Sequence, residues 1–223
     1  MNVGPTETIE REVRIAIGAA GVIVGNLHVP PGARGLVIFA HGSGSSRLSP
    51  RNRYVAEVLE RAQLATLLID LLTVQEDAID HRDARYRFDI ELLAERLALA
   101  KGAVREWPDT AVLPVCYFGA STGAAAAIVA AARTPGEIAA VVSRGGRPDL
   151  AGDALGRVDA PTLLIVGSAD PVVIGLNEDA MRRMHNAPVE LVIVPGATHL
   201  FEETGTLEEV ARLARDWFLR HCR

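Results

Sequence analysis

The sequence contains little cysteine and few aromatic residues. Two of its 223 residues are cysteine and 4% are aromatic. The two cysteines lack the spacing of a disulfide framework or a zinc site. Cys116, inside an apolar run, is expected to be a buried thiol and Cys222 a free one. Because aromatics are scarce, the hydrophobic core must be built mainly from alanine, valine, leucine and isoleucine.

Long hydrophobic runs and clusters of basic residues are also missing. No apolar run reaches the ~18 residues of a membrane-spanning helix, and residues 1–12 are too polar for a secretory signal. We therefore expect a cytoplasmic protein without a membrane partner. The formal net charge is −5 and the basic residues are dispersed, which argues against nucleic acid as a partner. The sequence indicates no metal site and no cofactor, and it gives no indication of oligomeric state.

The sequence does contain a regular alternation of apolar strands and amphipathic helices. Residues 13–29 are typical of two antiparallel strands around a glycine-containing turn. Six further strands are predicted at residues 36–40, 66–72, 113–118, 139–143, 162–166 and 189–194, with helices between them. This alternation predicts a mostly parallel sheet with helices on both faces. The whole chain, 1–223, is expected to form one α/β domain.

Signals at the segment boundaries refine this pattern. Ser49 followed by Pro50 predicts the start of a helix, and Thr206 with Glu209 predicts a capping box at the start of the last helix. The polar stretch 73–87 is expected to separate a strand from the next helix. It is the one segment expected to fold over the carboxyl edge of the sheet, so we predict a shallow or open pocket without a large cap domain.

A nucleophile motif follows the predicted strand 113–118. Gly119-Ala120-Ser121-Thr122-Gly123 matches the Gly-x-Ser-x-Gly elbow, in which a sharp strand-to-helix turn raises the serine hydroxyl into a site. The pattern alone is weak, but the apolar strand before it and the alanine-rich helix after it are the context that the motif requires. The alternative is a structural turn in which Ser121 is an ordinary helix cap.

A base and an acid follow the last two predicted strands. Serine needs a base within hydrogen-bond reach, and His199 stands just past the last strand. The imidazole needs a carboxylate to fix its tautomer, and Asp170 follows the strand before it, with Asp70 as the nearest rival. The chain order Ser121, Asp170, His199 is the order that this kind of hydrolase uses, which makes coincidence a poor explanation.

The loop after the strand at 36–40 supplies candidate oxyanion donors. A tetrahedral intermediate needs two N–H groups aimed at its negative oxygen. One would come from Thr122, directly after the nucleophile, and the other from the loop His41-Gly42-Ser43-Gly44, most plausibly Ser43. His41 is then expected to brace this loop rather than act as the base.

These residues resemble the α/β-hydrolase superfamily. The likeness is carried by His41-Gly42, the elbow around Ser121, Asp170 and His199, and it spans nearly the whole chain. The resemblance implies an eight-stranded, mostly parallel sheet with an N-terminal antiparallel hairpin. The small size of the chain and this hairpin resemble the dienelactone hydrolase-like branch of the superfamily. Dienelactone hydrolases proper carry cysteine at the elbow, whereas this chain has Ser121, so a general carboxylic-ester hydrolase is the expected activity.

Three functions remain open from the sequence. The first is hydrolysis of a small ester, lactone or thioester through an acyl-enzyme. The second is transfer of the same acyl group to another acceptor, as in an acyltransferase or perhydrolase. The third is a non-catalytic binding protein on a hydrolase scaffold. Arg144, Arg147 and Arg53 follow strand ends and are candidates for holding an anionic substrate group, although solvated surface arginine is the simpler interpretation.

Overall fold

The computed structural model of the protein describes residues 7–222, and eight strands in this range form one sheet. The strands are β1 (Ile9–Ala16), β2 (Val22–Val29), β3 (Leu36–Ala40), β4 (Ala65–Ile69), β5 (Val115–Ala120), β6 (Ile138–Arg144), β7 (Thr162–Gly167) and β8 (Val189–Val194). Their spatial order is β1-β2-β4-β3-β5-β6-β7-β8. The pairs β1–β2 and β2–β4 are antiparallel, and all others are parallel. The expected fold class is confirmed.

Six α-helices in the described range cover the two faces of this sheet. They are α1 (Pro50–Arg61), α2 (Val74–Asp83), α3 (Ile90–Glu106), α4 (Thr122–Ala132), α5 (Pro171–Arg183) and α6 (Thr206–His221), with a short 3-10 segment at Pro148–Gly156. Helices α1 and α6 pack on one face, and α3 and α4 pack on the other. Parallel strands are buried on both faces, which is why β3, β4, β5 and β7 are buried at every residue.

The alanine-rich helix α4 lies deepest in the molecule. All eleven of its residues are buried, and small side chains let it approach the sheet closely. A Cβ atom at Gly123 would lie 2.3 Å from the carbonyl oxygen of Ala40 on β3. The mostly small, apolar side chains of Thr122–Ala132 therefore suit a helix that is buried on every side.

Two local expectations need correction. The stretch 73–87 contains the helix α2, because Thr73 and Glu76 form a capping box in which each side chain accepts a hydrogen bond from the other's backbone N–H. The last helix has no such box. Gly205 precedes α6 in a left-handed conformation (φ 82°), and the Thr206 hydroxyl donates to the carbonyl oxygen of Glu203 instead.

None of the helices within residues 7–222 is long and apolar enough to cross a membrane.

Candidate active site

The turn between β5 and α4 has a strained backbone at Ser121. Its φ of 50° and ψ of −119° lie outside the regions that non-glycine residues normally occupy, and such strain concentrates at functional sites. Glycine is required on both sides: a Cβ at Gly119 would lie 2.4 Å from the Cα of Ala124, and Gly123 is equally crowded. The Ser121 hydroxyl makes no capping hydrogen bond to α4, so it does not act as an ordinary helix cap.

His199 and Asp170 form a hydrogen-bonded pair at the same edge of the sheet. The Nδ1 atom of His199 lies 2.7 Å from Oδ2 of Asp170. Asp170 stands at the N-cap position of α5 but makes no side-chain cap there, so its carboxylate is directed to the imidazole. The loops after β7 and β8 meet closely, because a Cβ at Gly167 would lie 2.3 Å from the carbonyl oxygen of Ala197.

The loop after β6 connects the serine turn with the histidine. The Ser121 N–H donates to the carbonyl oxygen of Arg144 at 3.2 Å. The next residue, Gly145, has a φ of 51°, and a Cβ added there would lie 3.6 Å from Cε1 of His199 and 3.0 Å from its carbonyl oxygen. Ser121, Asp170 and His199 therefore gather around one short loop at the carboxyl ends of β5, β7 and β8.

His41 occupies a different environment from His199. It is buried, its Nδ1 lies 2.9 Å from the carbonyl oxygen of Gly42, and its Nε2 accepts the backbone N–H of Leu71 at 3.1 Å. These partners require a neutral ring with the proton on Nδ1. Burial lowers the pKa of His41 from its ordinary value of 6.5, which favours the same neutral form. His41 thus ties the loop after β3 to the end of β4, as expected for a brace.

The rest of that loop is held by Asp70 and reaches the serine turn. Arg47 donates its backbone N–H (2.8 Å) and its guanidinium (2.6 Å) to the two oxygens of Asp70. Asp70 is thereby engaged by an arginine. At the other end of the loop, a Cβ at Gly42 would lie 3.1 Å from the Cβ of Ser121, so Ser43 follows a residue in close contact with the serine turn.

A small cleft lies beside the two candidate oxyanion donors. Residues 41–45 and Thr122 form one side of it, and Leu71, Leu72, Leu93, Asp77, Asp80 and Arg87 form the other. The stretch 73–87 therefore lines the site, which the sequence left undecided. Leucines make part of its wall apolar.

A clasp between Asp80 and Arg87 fixes the wall of this cleft. The buried carboxylate of Asp80 accepts the backbone N–H groups of Tyr86 (2.7 Å) and Arg87 (2.9 Å), and Nε of Arg87 (2.7 Å). Burial alone would raise the pKa of Asp80, but these donors lower it below its ordinary value. Sequence reasoning missed this clasp, since the polar composition of 73–87 gave no sign of a buried carboxylate.

Three arginines were candidates for an anionic group, and their environments differ. Arg147 is paired with Asp149 through two hydrogen bonds of 2.9 and 2.8 Å. Arg53 is exposed and lines a separate groove with Glu57 and Glu60. Arg144 is the candidate whose charge is buried without a carboxylate partner within the described residues.

Arg144 is 7% exposed, and its guanidinium has one weak hydrogen-bond partner. Its Nη2 donates to Oδ1 of Asn52 at 3.4 Å, while Nε and Nη1 have no hydrogen-bond partner within residues 7–222. Burial, together with the nearby charge of Arg51, lowers the pKa of Arg144 to about 10. A buried cation in this state carries a desolvation cost that a bound anion would offset.

Within the described part of the chain, no group of three or more histidine, cysteine, aspartate or glutamate side chains is arranged to hold a metal ion.

Comparison with known protein families identifies the fold family. The family model described as the dienelactone hydrolase family matches residues 55–221. The chain belongs to this family. A crystal structure of a dienelactone hydrolase from Anabaena variabilis is 57% identical, has a TM-score of 0.94, and is matched over 97% of this chain and 100% of that one. Family membership supports a hydrolase.

Two further comparisons differ in what they establish. Two Mycobacterium tuberculosis proteins provisionally named phosphoribosyl transferases are 59% identical over 212 residues. That alignment covers 95% of this chain but 46% of their length, so the chain spans about half of these curated relatives. An esterase from Pyrococcus furiosus is 18% identical with a TM-score of 0.79, over 96% of this chain and 92% of that one. This last likeness establishes the fold alone.

Proposed function

We propose that the chain is a serine hydrolase that cleaves a small carboxylic ester, lactone or thioester through an acyl-enzyme on Ser121. The observation that carries the proposal is the 2.7 Å pair between His199 Nδ1 and Asp170 Oδ2 beside the strained Ser121 turn. A carboxylate on Nδ1 leaves Nε2 of the neutral imidazole as the proton acceptor, which is the arrangement that an activated serine requires.

In the proposed reaction, Nε2 of His199 takes the proton of the Ser121 hydroxyl as Oγ attacks the substrate carbonyl. The backbone N–H groups of Thr122 and Ser43 donate to the resulting oxyanion, and Asp170 stabilises the imidazolium. The intermediate collapses when His199 passes the proton to the leaving alcohol, thiol or ring oxygen. Water then attacks the acyl-enzyme with His199 as base again, and the carboxylic acid leaves.

The substrate that we propose carries an acid group. Arg144 supports this proposal because its buried guanidinium lacks a carboxylate partner and its main chain contacts Ser121 and, through Gly145, His199. A substrate carboxylate placed against this guanidinium would form charge-assisted hydrogen bonds with it. Arg147 and Arg53 have other surroundings, so we assign this role to Arg144.

A fluorophosphonate probe tests the nucleophile. We expect the wild-type protein to gain one probe, on the peptide that contains Ser121, and Ser121→Ala to gain none. Folding of the variant is checked by circular dichroism, since the turn depends on its glycines rather than on the hydroxyl. Absence of labelling in the folded wild type would leave a binding protein on a hydrolase scaffold as the better interpretation.

Product analysis separates hydrolysis from acyl transfer. The same ester is supplied in water alone and with a competing alcohol, amine or peroxide, and the products are counted. Free acid as the main product in every mixture supports the hydrolase. Preferential formation of a new ester, amide or peracid would instead identify an acyltransferase or perhydrolase that uses the same three residues.

Phosphoribosyl transfer is a second candidate because of the provisional name of the M. tuberculosis relatives. Those proteins are about twice as long as this chain, and we assign the transferase activity to the part of them that lies outside the match. Incubation with phosphoribosyl pyrophosphate and free nucleobases tests this assignment. Release of pyrophosphate by the present chain, undiminished in Ser121→Ala, would overturn it.

A further inference from the structure

Cys116 and Cys222 lie together in the core, although 105 residues separate them in the sequence. Cys116 is the second residue of β5, and Cys222 directly follows the last residue of α6. Their exposed fractions are 0% and 1%, and both belong to the hydrophobic cluster between the sheet and helices α1 and α6. Both are free thiols.

The register of β3 and β5 locates the two sulfur atoms relative to each other. Val37 is directly opposite Cys116 in the parallel ladder, and Gly35, two residues earlier, faces the same side of the sheet. A Cβ added at Gly35 would lie 2.9 Å from the Cβ of Cys222 and 3.0 Å from its Sγ. The Cys222 sulfur therefore rests on the same sheet face as Cys116, one row away.

The titration behaviour of Cys116 agrees with this placement. Burial raises the pKa of the Cys116 thiol well above its ordinary value, and the proximity of Cys222 raises it further. Two cysteines that lie one row apart on the same sheet face are near each other, and proximity is the first requirement for a disulfide.

We propose that Cys116 and Cys222 form a site of intramolecular disulfide formation with a peroxide as the oxidant. In the first step one thiol gives up its proton and its sulfur attacks the peroxide, which breaks the O–O bond and gives a sulfenic acid and water. The second thiol then attacks the sulfenic sulfur and displaces water. Overall, two thiols and one hydrogen peroxide give one disulfide and two waters, with two electrons passing from sulfur to oxygen.

The position of this cross-link defines its effect. It joins the end of α6 to the start of β5, at the amino edge of the sheet, whereas the candidate active site lies at the carboxyl edge. A bond that closes a loop of about one hundred residues stabilises the folded chain mainly by restricting the unfolded one. We therefore expect a stabilising clamp that leaves the site unchanged, and this inference is independent of the proposed function.

The experiment treats the whole reduced protein with millimolar hydrogen peroxide and counts thiols under denaturing conditions. We expect two thiols per chain before treatment and none afterwards, with one linked pair of peptides containing Cys116 and Cys222 in the mass spectrum. The product should migrate as a monomer on a non-reducing gel. The midpoint of thermal unfolding should rise on the order of 5–15 °C, and dithiothreitol should reverse the change.

Cys222→Ser is the matched control, because it keeps the size of the side chain at the end of a helix. In this variant the same treatment should leave the midpoint of thermal unfolding unraised and form no internal link. Sulfinic acid, cross-linked dimers or two surviving thiols in the wild type would each overturn the proposal. An unchanged midpoint in a fully linked wild-type protein would overturn the stabilising role.

Discussion

His41 and His199 both follow a strand at the carboxyl edge of the sheet, yet their surroundings differ. His41 is buried, and both of its ring nitrogens are engaged by backbone groups. His199 is partly exposed, and one nitrogen faces the carboxylate of Asp170. A histidine held by backbone groups on both sides has no nitrogen left for a substrate, whereas one held by a single carboxylate keeps Nε2 for proton transfer.

The same contrast extends to the two aspartates. Asp70 binds Arg47 and so fixes the loop after β3, while Asp170 binds an imidazole. Residue type and position after a strand are the same in both pairs. The hydrogen-bond partners differ, and they distinguish the bracing pair, His41 and Asp70, from the pair proposed to move protons, His199 and Asp170.

The largest expected effect comes from removing one histidine or the other. His199→Ala should reduce kcat for ester hydrolysis roughly 10⁴-fold or more, because the serine loses its base, with little change in thermal stability. His41→Gln should instead destabilise the protein by about 1–3 kcal/mol, because it leaves buried backbone groups unpaired. Steady-state rates and denaturant unfolding of both variants measure the two effects. An inactive but fully stable His41→Gln variant would show that His41 takes part in the chemistry and is not a brace.

The two aspartates give the next effect. Asp170→Asn should slow turnover by about 10²- to 10⁴-fold, since an amide favours the wrong imidazole tautomer. Asp70→Asn should lower the midpoint of denaturation and change kcat by less than about tenfold, because the loop loses a charged hydrogen-bond partner. If the two variants exchanged these phenotypes, Asp70 would be the acid of the site.

Arg144 and Arg147 differ in the same way, since one lacks a carboxylate partner and the other has one, and we expect different effects on substrate binding. Arg144→Leu should reduce the kcat/KM ratio of an anionic ester to its neutral analogue by about tenfold or more, corresponding to ~1.5–3 kcal/mol for a partly desolvated charged hydrogen bond. Arg147→Leu should leave the ratio unchanged, because its charge is already paired with Asp149. Equal rates for both esters in the wild type would remove the acid group from the proposal.

The same Arg144→Leu variant has an expected gain in stability. The pKa of Arg144 is lowered in the fold to about 10, so the folded state disfavours the charged form. Replacing an unpaired buried charge with leucine should stabilise the free protein by about 1–3 kcal/mol. Calorimetry measures this difference, and a destabilised variant would mean that Arg144 has an internal role.

The smallest effect concerns pH and stability. Because the pKa of His41 is lowered in the fold, the unfolded chain takes up this proton first as pH falls. The contribution of His41 is therefore complete above about pH 6.5 and decreases below it, by up to about 1.4 kcal/mol per pH unit. The free energy of unfolding, measured with urea at several pH values between 7.5 and 5, should fall less steeply with decreasing pH in His41→Gln than in the wild type. Identical slopes would contradict the assignment.

Local patterns predicted the existence and order of the strands and the start of α1, although the predicted strands 66–72 and 113–118 are observed at Ala65–Ile69 and Val115–Ala120. Apolar runs such as Leu36–Ala40 allow little but a buried strand, and Ser49-Pro50 gives one clear helix start. The Thr-x-x-Glu spacing of a capping box was a poorer guide to where helices start. Thr73 and Glu76 form a capping box that was overlooked, while Thr206 and Glu209 have the same spacing and form none, because Gly205 begins α6 in a left-handed turn.

For the site, chain order and strand ends identified Ser121, Asp170 and His199 as candidates that the fold brings to one edge. The isolation of Arg144 was beyond sequence reasoning, since it depends on Asn52 of α1 being its one hydrogen-bond partner in the described range. A hydrogen bond between residues 92 positions apart leaves no local signal in the sequence. The proximity of Cys116 and Cys222 is of the same kind. Cys222 is a free thiol, as expected, and the structure adds that it is buried.

The complete burial of α4 also bears on how the molecule moves. A helix with a solvent face can open locally, whereas α4 is enclosed by the sheet, by α3 and by the 3-10 segment. Its amide hydrogens should exchange with deuterium only when the domain opens as a whole. Ser121 is joined directly to this helix, so the lifetime of its strained conformation is set by global unfolding rather than by the faster fluctuations of surface loops.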